Sequence, residues 1–305
     1  MIGEENKVIS KLGGDLGIPL ENQKKFEEAM IHSTDKEQIS VLKHYFVDWA
    51  FLVHDFNRIH VFPEYAAEAG FKKIPIHGTL ISAFEEQYAL KILEVLKEFT
   101  GKELFYNNHR IKFETPIFPR FRKARAVWDL ESATVDEVDI SLNVSATDLK
   151  NQEKYISSRI GFGYKPNQED PQKIIEFLSA GDIVHRTSME IKEGERARCY
   201  NILGKKKIDE VLMMHVGAFT PATLLELSSR RTGRPEGAYR EIDFDFYNPP
   251  QLGIFETILR MPKAPRVLPE GKGFFYKFEA ICMQNKKLVL SGNVKCISPI
   301  EYKLN

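Results

Sequence analysis

The sequence predicts an α+β chain of two tandem repeats, each an antiparallel sheet wrapped around one central helix. Three observations predict it. Leu80, Ala83, Phe84, Tyr88, Ile92, Val95 and Phe99 recur at helical spacing after Gly78, and Gly101 supplies a stop, so a mostly buried helix is expected there. Strand-like runs follow at Arg110 to Phe118, Ala124 to Leu130 and Val138 to Val144; alternation with period two puts one face of a strand against a core. The outline then recurs. Thr220-Pro221 open a second helix carrying Leu224, Leu225 and Leu227, Phe246-x-x-Pro249 answers Phe113-x-x-Pro116, and alternating runs close the chain at Phe274 to Cys282 and Leu288 to Cys296. A repeat is the simplest account of that order.

A chain of 305 residues is comfortable for two domains. Residues 1–150 form the N-terminal repeat with an extension ahead of it, 151–172 a polar connection containing Gly161, Gly163, Pro166 and Pro171, and 173–305 the C-terminal repeat. Within the extension, Gly13-Gly14 reads as a break and Glu21 to Met30 as a short charged helix. Val41 to Phe51 is aromatic and apolar, a strand or short helix, with His44 and His54 packed or solvated. Asp170-Pro171 cap a short helix that ends near Gly181.

Lys plus Arg and Asp plus Glu are 43 each, so no global field favours nucleic acid or an anionic membrane. Cys199, Cys282 and Cys296 lack metal-ligand spacing and read as buried reduced thiols. No run is long and apolar enough for a membrane span, and the N-terminus lacks a secretory apolar core, so a cytoplasmic protein is expected. His185 and His215 have no carboxylate or cysteine partner at ligand spacing, and no metal is expected. The glycines of Gly13-Gly14-Asp15-Leu16-Gly17 lack the Lys-Ser/Thr of a phosphate-binding loop.

The chemistry concentrates between Val53 and Ser82. Asp55 and His60 flank Asn57 in a turn-forming segment before Pro63, so a carboxylate and an imidazole can converge on one small volume. His77-Gly78 then opens the central helix, where the amides of Gly78 and Thr79 have no intrahelical partner and carry the positive end of the helix dipole. An acid/base pair beside an oxyanion site suits adding or removing water across a double bond next to a carbonyl. Taken singly, Asp55 reads as a turn or cap residue and His60 as a packed histidine; the combination makes them catalytic candidates. The imidazole of His77 reads as structural and Asn57 as a loop-holding residue. Arg120, Arg122 and Lys123 form a cationic turn, and so do Lys205-Lys206-Lys207; a solvated surface is the plain reading and phosphate contact the functional one.

At these residues the sequence resembles the MaoC-like dehydratases, which include the R-specific enoyl-CoA hydratases of the hot-dog fold. The resemblance rests on Asp55-Phe56-Asn57-Arg58-Ile59-His60, Tyr65-Ala66-Ala67, Gly70-Phe71 and Ile76-His77-Gly78. Arg58 replaces the usual proline, Phe62 stands where an Asp is common, and Glu86 falls where relatives often carry a small hydroxyl residue. The second repeat has no equivalent loop: placing Tyr200-Asn201 against Phe56-Asn57 puts Cys199 at the acid position and Gly204 at the histidine position. The resemblance implies a tandem (double) hot-dog in which one repeat carries chemistry and the other, degenerate, shapes the pocket. It implies reversible hydration of a trans-2-enoyl thioester to the (3R)-3-hydroxyacyl thioester. Asp55 and His60 would hold the water, Gly78 would supply the oxyanion N–H, and Asn57, His77, Thr79, Arg120 and Arg122 would shape substrate binding. The partners implied are acyl-CoA or acyl-ACP thioesters with no cofactor beyond the coenzyme A of the substrate, and a homodimer of such chains is one arrangement it allows. A dehydratase of carrier-protein thioesters, a non-catalytic acyl-thioester-binding subunit and a hot-dog thioesterase are the alternatives. The shortened second loop suggests medium or long acyl chains.

Overall fold

The chain opens with two helices, α1 (Ile2–Asp15) and α2 (Leu20–Thr34), in a computed structural model that describes residues 2–34, 41–42, 44–53, 55, 57–118, 123–124, 126–148, 153–203, 237–269 and 273–298. The expected break at Gly13-Gly14 is not there. Helix α1 runs through both glycines, because Gly13 lies against Phe26 of α2, where an added Cβ would come within 3.0 Å of the ring. The turn falls at Leu16–Gly17 instead.

A two-residue strand β1 (Val41–Leu42) and helix α3 (His44–Val53) lead to a 3-10 turn over Arg58–His60 and a short helix α4 (Pro63–Glu68). The periodic run after Gly78 folds as the central helix α5 (Gly78–Thr100), ended by Gly101 in the left-handed conformation, which a residue without Cβ adopts freely. Strands β2 (Phe105–Phe113), β3 (Lys123–Ala124), β4 (Ala126–Val135), β5 (Asp139–Asp148) and β6 (Lys154–Gly163) complete the first repeat. Helix α6 (Pro171–Ser179), capped by Asp170, opens the second, followed by β7 (Ile183–Ile191), α7 (Glu193–Leu203), β8 (Ala238–Phe246), β9 (Gly253–Arg260), β10 (Arg266–Val267), β11 (Phe274–Gln284) and β12 (Lys287–Ser298).

All strand pairings among the described residues are antiparallel, in the order β4-β5-β6-β2-β8-β12-β11-β9-β7. The repeats meet where β2 pairs with β8, from Asn108↔Asp245 to Lys112↔Glu241. Outward from that seam β6, β5 and β4 are answered by β12, β11 and β9; β7 continues the sheet beyond β9, while β1 pairs with β3 in a separate two-stranded sheet. The inner strands have 9 residues each, with Tyr106 and Phe113 at the places Tyr239 and Phe246 hold. One continuous core, including Trp128, Tyr88, Phe162, Phe255, Phe278 and Tyr276, lies between the sheet and the helices.

The expected connection over 151–172 is corrected. Lys154–Gly163 is a ten-residue strand bonded to both β2 and β5, so the first repeat extends to Gly163 and only the stretch up to Asp170 connects. Its buried Tyr155, Ile156, Ile160 and Phe162 supply the strand pattern, which serines and glycines obscure in the letters. Tyr200-Asn201 lies inside α7, which follows β7 as α3 follows β1, so it does not match the Asn57 loop. The expected helix at Thr220, with Gly204, Lys205 to Lys207 and His215, lies outside the described residues. Cys282 and Cys296 are buried and outside any disulfide among the described residues, and burial pushes Cys296 up to about 12.

Candidate active site

Helix α3 delivers the chain to Asp55, and the 3-10 turn after it carries His60. Asn57 caps that turn: its Oδ1 accepts from Ile59 N at 3.3 Å, and its Nδ2 donates to Gly237 O at 3.2 Å, tying the loop to the start of β8 in the other repeat. Asn57 is thus a holding residue, as its type suggests. The side chains of Asp55, His60 and His77 come together, with one donor atom of each within 4.8 Å of the others, and all three are buried. His54 and Phe56 lie outside the described residues, as do Arg120 and Arg122.

The pair is electrically tuned. Asp55 is fully buried; its Oδ1 accepts from Asn57 N at 3.4 Å, while Oδ2 has no hydrogen-bond partner among the described residues. Burial raises its pKa to about 7, outweighing the Asn57 bond. His60 Nδ1 lies 2.9 Å from the carbonyl of Pro75. A carbonyl only accepts, so Nδ1 carries the proton and Nε2 keeps its lone pair. Burial lowers His60 to about 4 against that bond, which leaves a neutral imidazole at neutral pH. His77 stacks on it, with ring centroids 4.0 Å apart and planes at 29°. Burial first, then the charge His60 would carry, hold His77 well below the ordinary histidine range against a hydrogen bond to the Asp55 backbone.

Two histidines and a carboxylate this close also suggest a metal. The Nδ1 of His60 faces the Pro75 carbonyl, so its Nε2 would be the atom offered to such an ion.

Gly78 begins α5 with His77 as its N-cap residue. A Cβ there would meet Phe113 at 3.2 Å and Tyr239 at 3.3 Å, so glycine lets the helix start press against both repeats. The Thr79 hydroxyl accepts from Trp49 Nε1 of α3 at 3.1 Å, and Thr79 is not part of the cavity lining. Arg58 donates to Tyr65 OH at 2.6 Å and lies over that ring, out of the pair. Glu86 bonds His109 and not Asp55 or His60. The sequence reading did not single out Trp49, Pro75, Gly237 and Tyr239. Of these only Tyr239 left a signal, as the counterpart of Tyr106 in the repeat.

A cavity of about 340 Å³ adjoins the pair. His60 and Gly78 open onto it beside Phe113 and Ile81 of the first repeat, while Gly237, Ala238 and Tyr239 close it from the second. Asp55, within 4.8 Å of His60, is not itself part of the cavity lining. Among the described residues, no helix is long and apolar enough to cross a membrane.

No family model matches the sequence, and no curated protein matches it. Solved structures do. A MaoC-like dehydratase aligns over 86% of this chain and 95% of its own at TM-score 0.58 and 12% identity. A conserved hypothetical protein from Mycobacterium tuberculosis, described as having a double hotdogfold, covers 86% of this chain and 93% of its own at TM-score 0.56 and 10% identity. The fold is the double hot-dog. A 12:0-ACP thioesterase from Umbellularia californica shares the architecture at TM-score 0.50 and 7% identity, over 78% of this chain and 90% of its own. In this double hot-dog the cavity sits at one end of the β2–β8 seam, with the loop and helix start from the first repeat and the beginning of β8 from the second.

Proposed function

We propose that the protein is a hydro-lyase of acyl thioesters, interconverting a trans-2-enoyl thioester and its (3R)-3-hydroxyacyl form. The observation that carries this reading is the approach of a buried carboxylate raised to about 7 and a neutral imidazole to within 4.8 Å, beside a cavity lined by a helix-opening glycine. The loop residues that resemble MaoC-like dehydratases and the fold likeness to a protein of that name support it.

In the proposed reaction one water binds between His60 Nε2 and Asp55 Oδ2. Its oxygen bonds to the β-carbon as the pair takes one of its protons and delivers one to the α-carbon, so the pair ends with the proton count it began with. Electron density moves onto the thioester oxygen as the enolate forms, and the Gly78 N–H receives it. A preorganised donor of that kind contributes on the order of 3 kcal/mol to the barrier. Burial around the pair strengthens each of these interactions by excluding water. The chemistry requires no metal or redox group, and coenzyme A or acyl carrier protein enters only as the thiol half of the substrate.

The test is the absorbance of crotonyl-CoA with purified protein. Loss of the conjugated enoyl signal without release of free thiol is expected, with the (3R) product identified by a stereospecific dehydrogenase. Thiol release with the enoyl group intact would assign a thioesterase, and no change in either signal would remove the hydro-lyase reading.

A further inference from the structure

Part of the cavity wall is buried, and the elements that form it also carry a buried polar cluster. Three elements contribute to both. On α5, Ile81 lines the cavity and Glu85 follows one turn later. On β2, Phe113 lines it and His109 lies further along the inward face; on β6, Ile156 lines it and Ser158 comes next on the same face. Ile81 and Ile156 are 2% and 1% exposed, whereas Glu68, Pro116 and Arg240 at the other side are exposed and mark the mouth.

In that cluster His109 bridges two carboxylates, with Nε2 at 3.0 Å from Glu85 Oε2 and Nδ1 at 3.4 Å from Glu86 Oε1. Ser158 Oγ donates to Glu85 Oε1 and lies 3.2 Å from the Val144 carbonyl. Glu86 Oε2 and the Tyr106 hydroxyl are buried with no hydrogen-bond partner among the described residues. The proposed reaction uses none of these groups.

We propose that the Glu85–His109–Glu86 cluster ends the acyl subsite, so that the protein takes short-chain acyl thioesters and rejects long ones. The proposal rests on the acyl-thioester reading above and supplies its chain-length limit. In an apolar tunnel each added methylene improves binding roughly fourfold. Here a tail that passed Ile81 and Ile156 would press methylenes against polar, titratable groups already stripped of water, and Glu86 Oε2 has no hydrogen-bond partner among the described residues. A cavity of about 340 Å³ is at the small end for ligand pockets and suits the thioester with a few carbons. The proposal departs from the expectation of medium or long chains drawn from the shortened second loop.

The test measures binding, not turnover. Saturated acyl-CoAs of four, six, eight and twelve carbons are titrated calorimetrically into the full chain. Affinity is expected to level off by about six carbons and to fall at least about tenfold at twelve. The triple variant Glu85→Met/Glu86→Met/His109→Leu replaces the cluster at similar volume, a change that buried ion groups often tolerate. It is expected to bind the eight- and twelve-carbon chains at least about tenfold more tightly, with butyryl-CoA unchanged. Wild-type affinity that climbs through twelve carbons overturns the proposal, and so does a folded triple variant with the wild-type profile. Should that variant not fold, the wild-type series decides alone. Short-chain binding without crotonyl-CoA hydration would remove the hydro-lyase reading and leave the subsite; hydration together with a preference for twelve carbons would do the opposite. Binding of none of the four removes both.

Discussion

If Asp55 acts as proposed, it is the residue at which function and stability pull in opposite directions. Its pKa is 3.8 in an ordinary setting and about 7 when buried in the fold, so the folded chain holds that proton more tightly than the unfolded one. Stability from this group is fully present below pH 3.8 and is lost as pH rises through 7. Asp55→Asn cannot ionise and escapes the loss. Thermal unfolding should therefore show the variant gaining on the wild type between pH 4 and pH 8, by up to roughly 4 kcal/mol at the upper end; an equal gap at both pH values would contradict the burial of this carboxylate. His60 has the opposite sign. Lowered from 6.5 to about 4, it contributes stability above pH 6.5 that is lost as pH falls through 4. At this scale the sequence was informative because Asp55, Asn57 and His60 lie in one short loop, and Asn57 acts through the Asx bonding its type suggests. What fixes the His60 tautomer was not legible, since Pro75 contributes only a backbone carbonyl.

In the proposed reaction helix α5 sets the oxyanion site by where it starts. A methyl group at Gly78 would meet Phe113 at 3.2 Å and Tyr239 at 3.3 Å, so a ring that lines the cavity must give by a few tenths of an ångström. Gly78→Ala should cut kcat/KM for crotonyl-CoA at least about tenfold while the circular dichroism spectrum stays that of the wild type; unchanged turnover would mean that the helix start is not part of the site. The extent of α5 could be read directly, from the apolar period after Gly78 and the stop at Gly101. Strand β6 was hidden, because Ser157, Ser158, Gly161 and Gly163 give it a loop's composition. Its bonds to β2 and β5, and Ser158's bond to Glu85, show why small and polar residues are used there.

Across the whole molecule the two repeats share one sheet through the β2–β8 seam, and the site needs both. The likeness of the repeats was visible in the phenylalanine-proline spacing. That the second repeat reaches the active loop through the Gly237 carbonyl and Tyr239 was not, because sequence order alone does not say which strands become neighbours. Beside the seam His109 binds Glu85 and Glu86. Burial opposes its charge, but the two carboxylate bonds and their charges prevail and lift it from 6.5 to about 9. The stability it supplies is complete below pH 6.5 and is lost as pH rises through 9. Denaturant midpoints should fall across that window, and His109→Gln should flatten that part of the profile; a wild-type curve level from pH 6.5 to 10 would contradict the charged triad.

The central claim is that Asp55 and His60 jointly handle the water, and steady-state hydration of crotonyl-CoA by Asp55→Asn and His60→Gln tests it most directly. Each folded variant is predicted to lose at least about a hundredfold in kcat/KM. Near-normal turnover by either one would contradict the account.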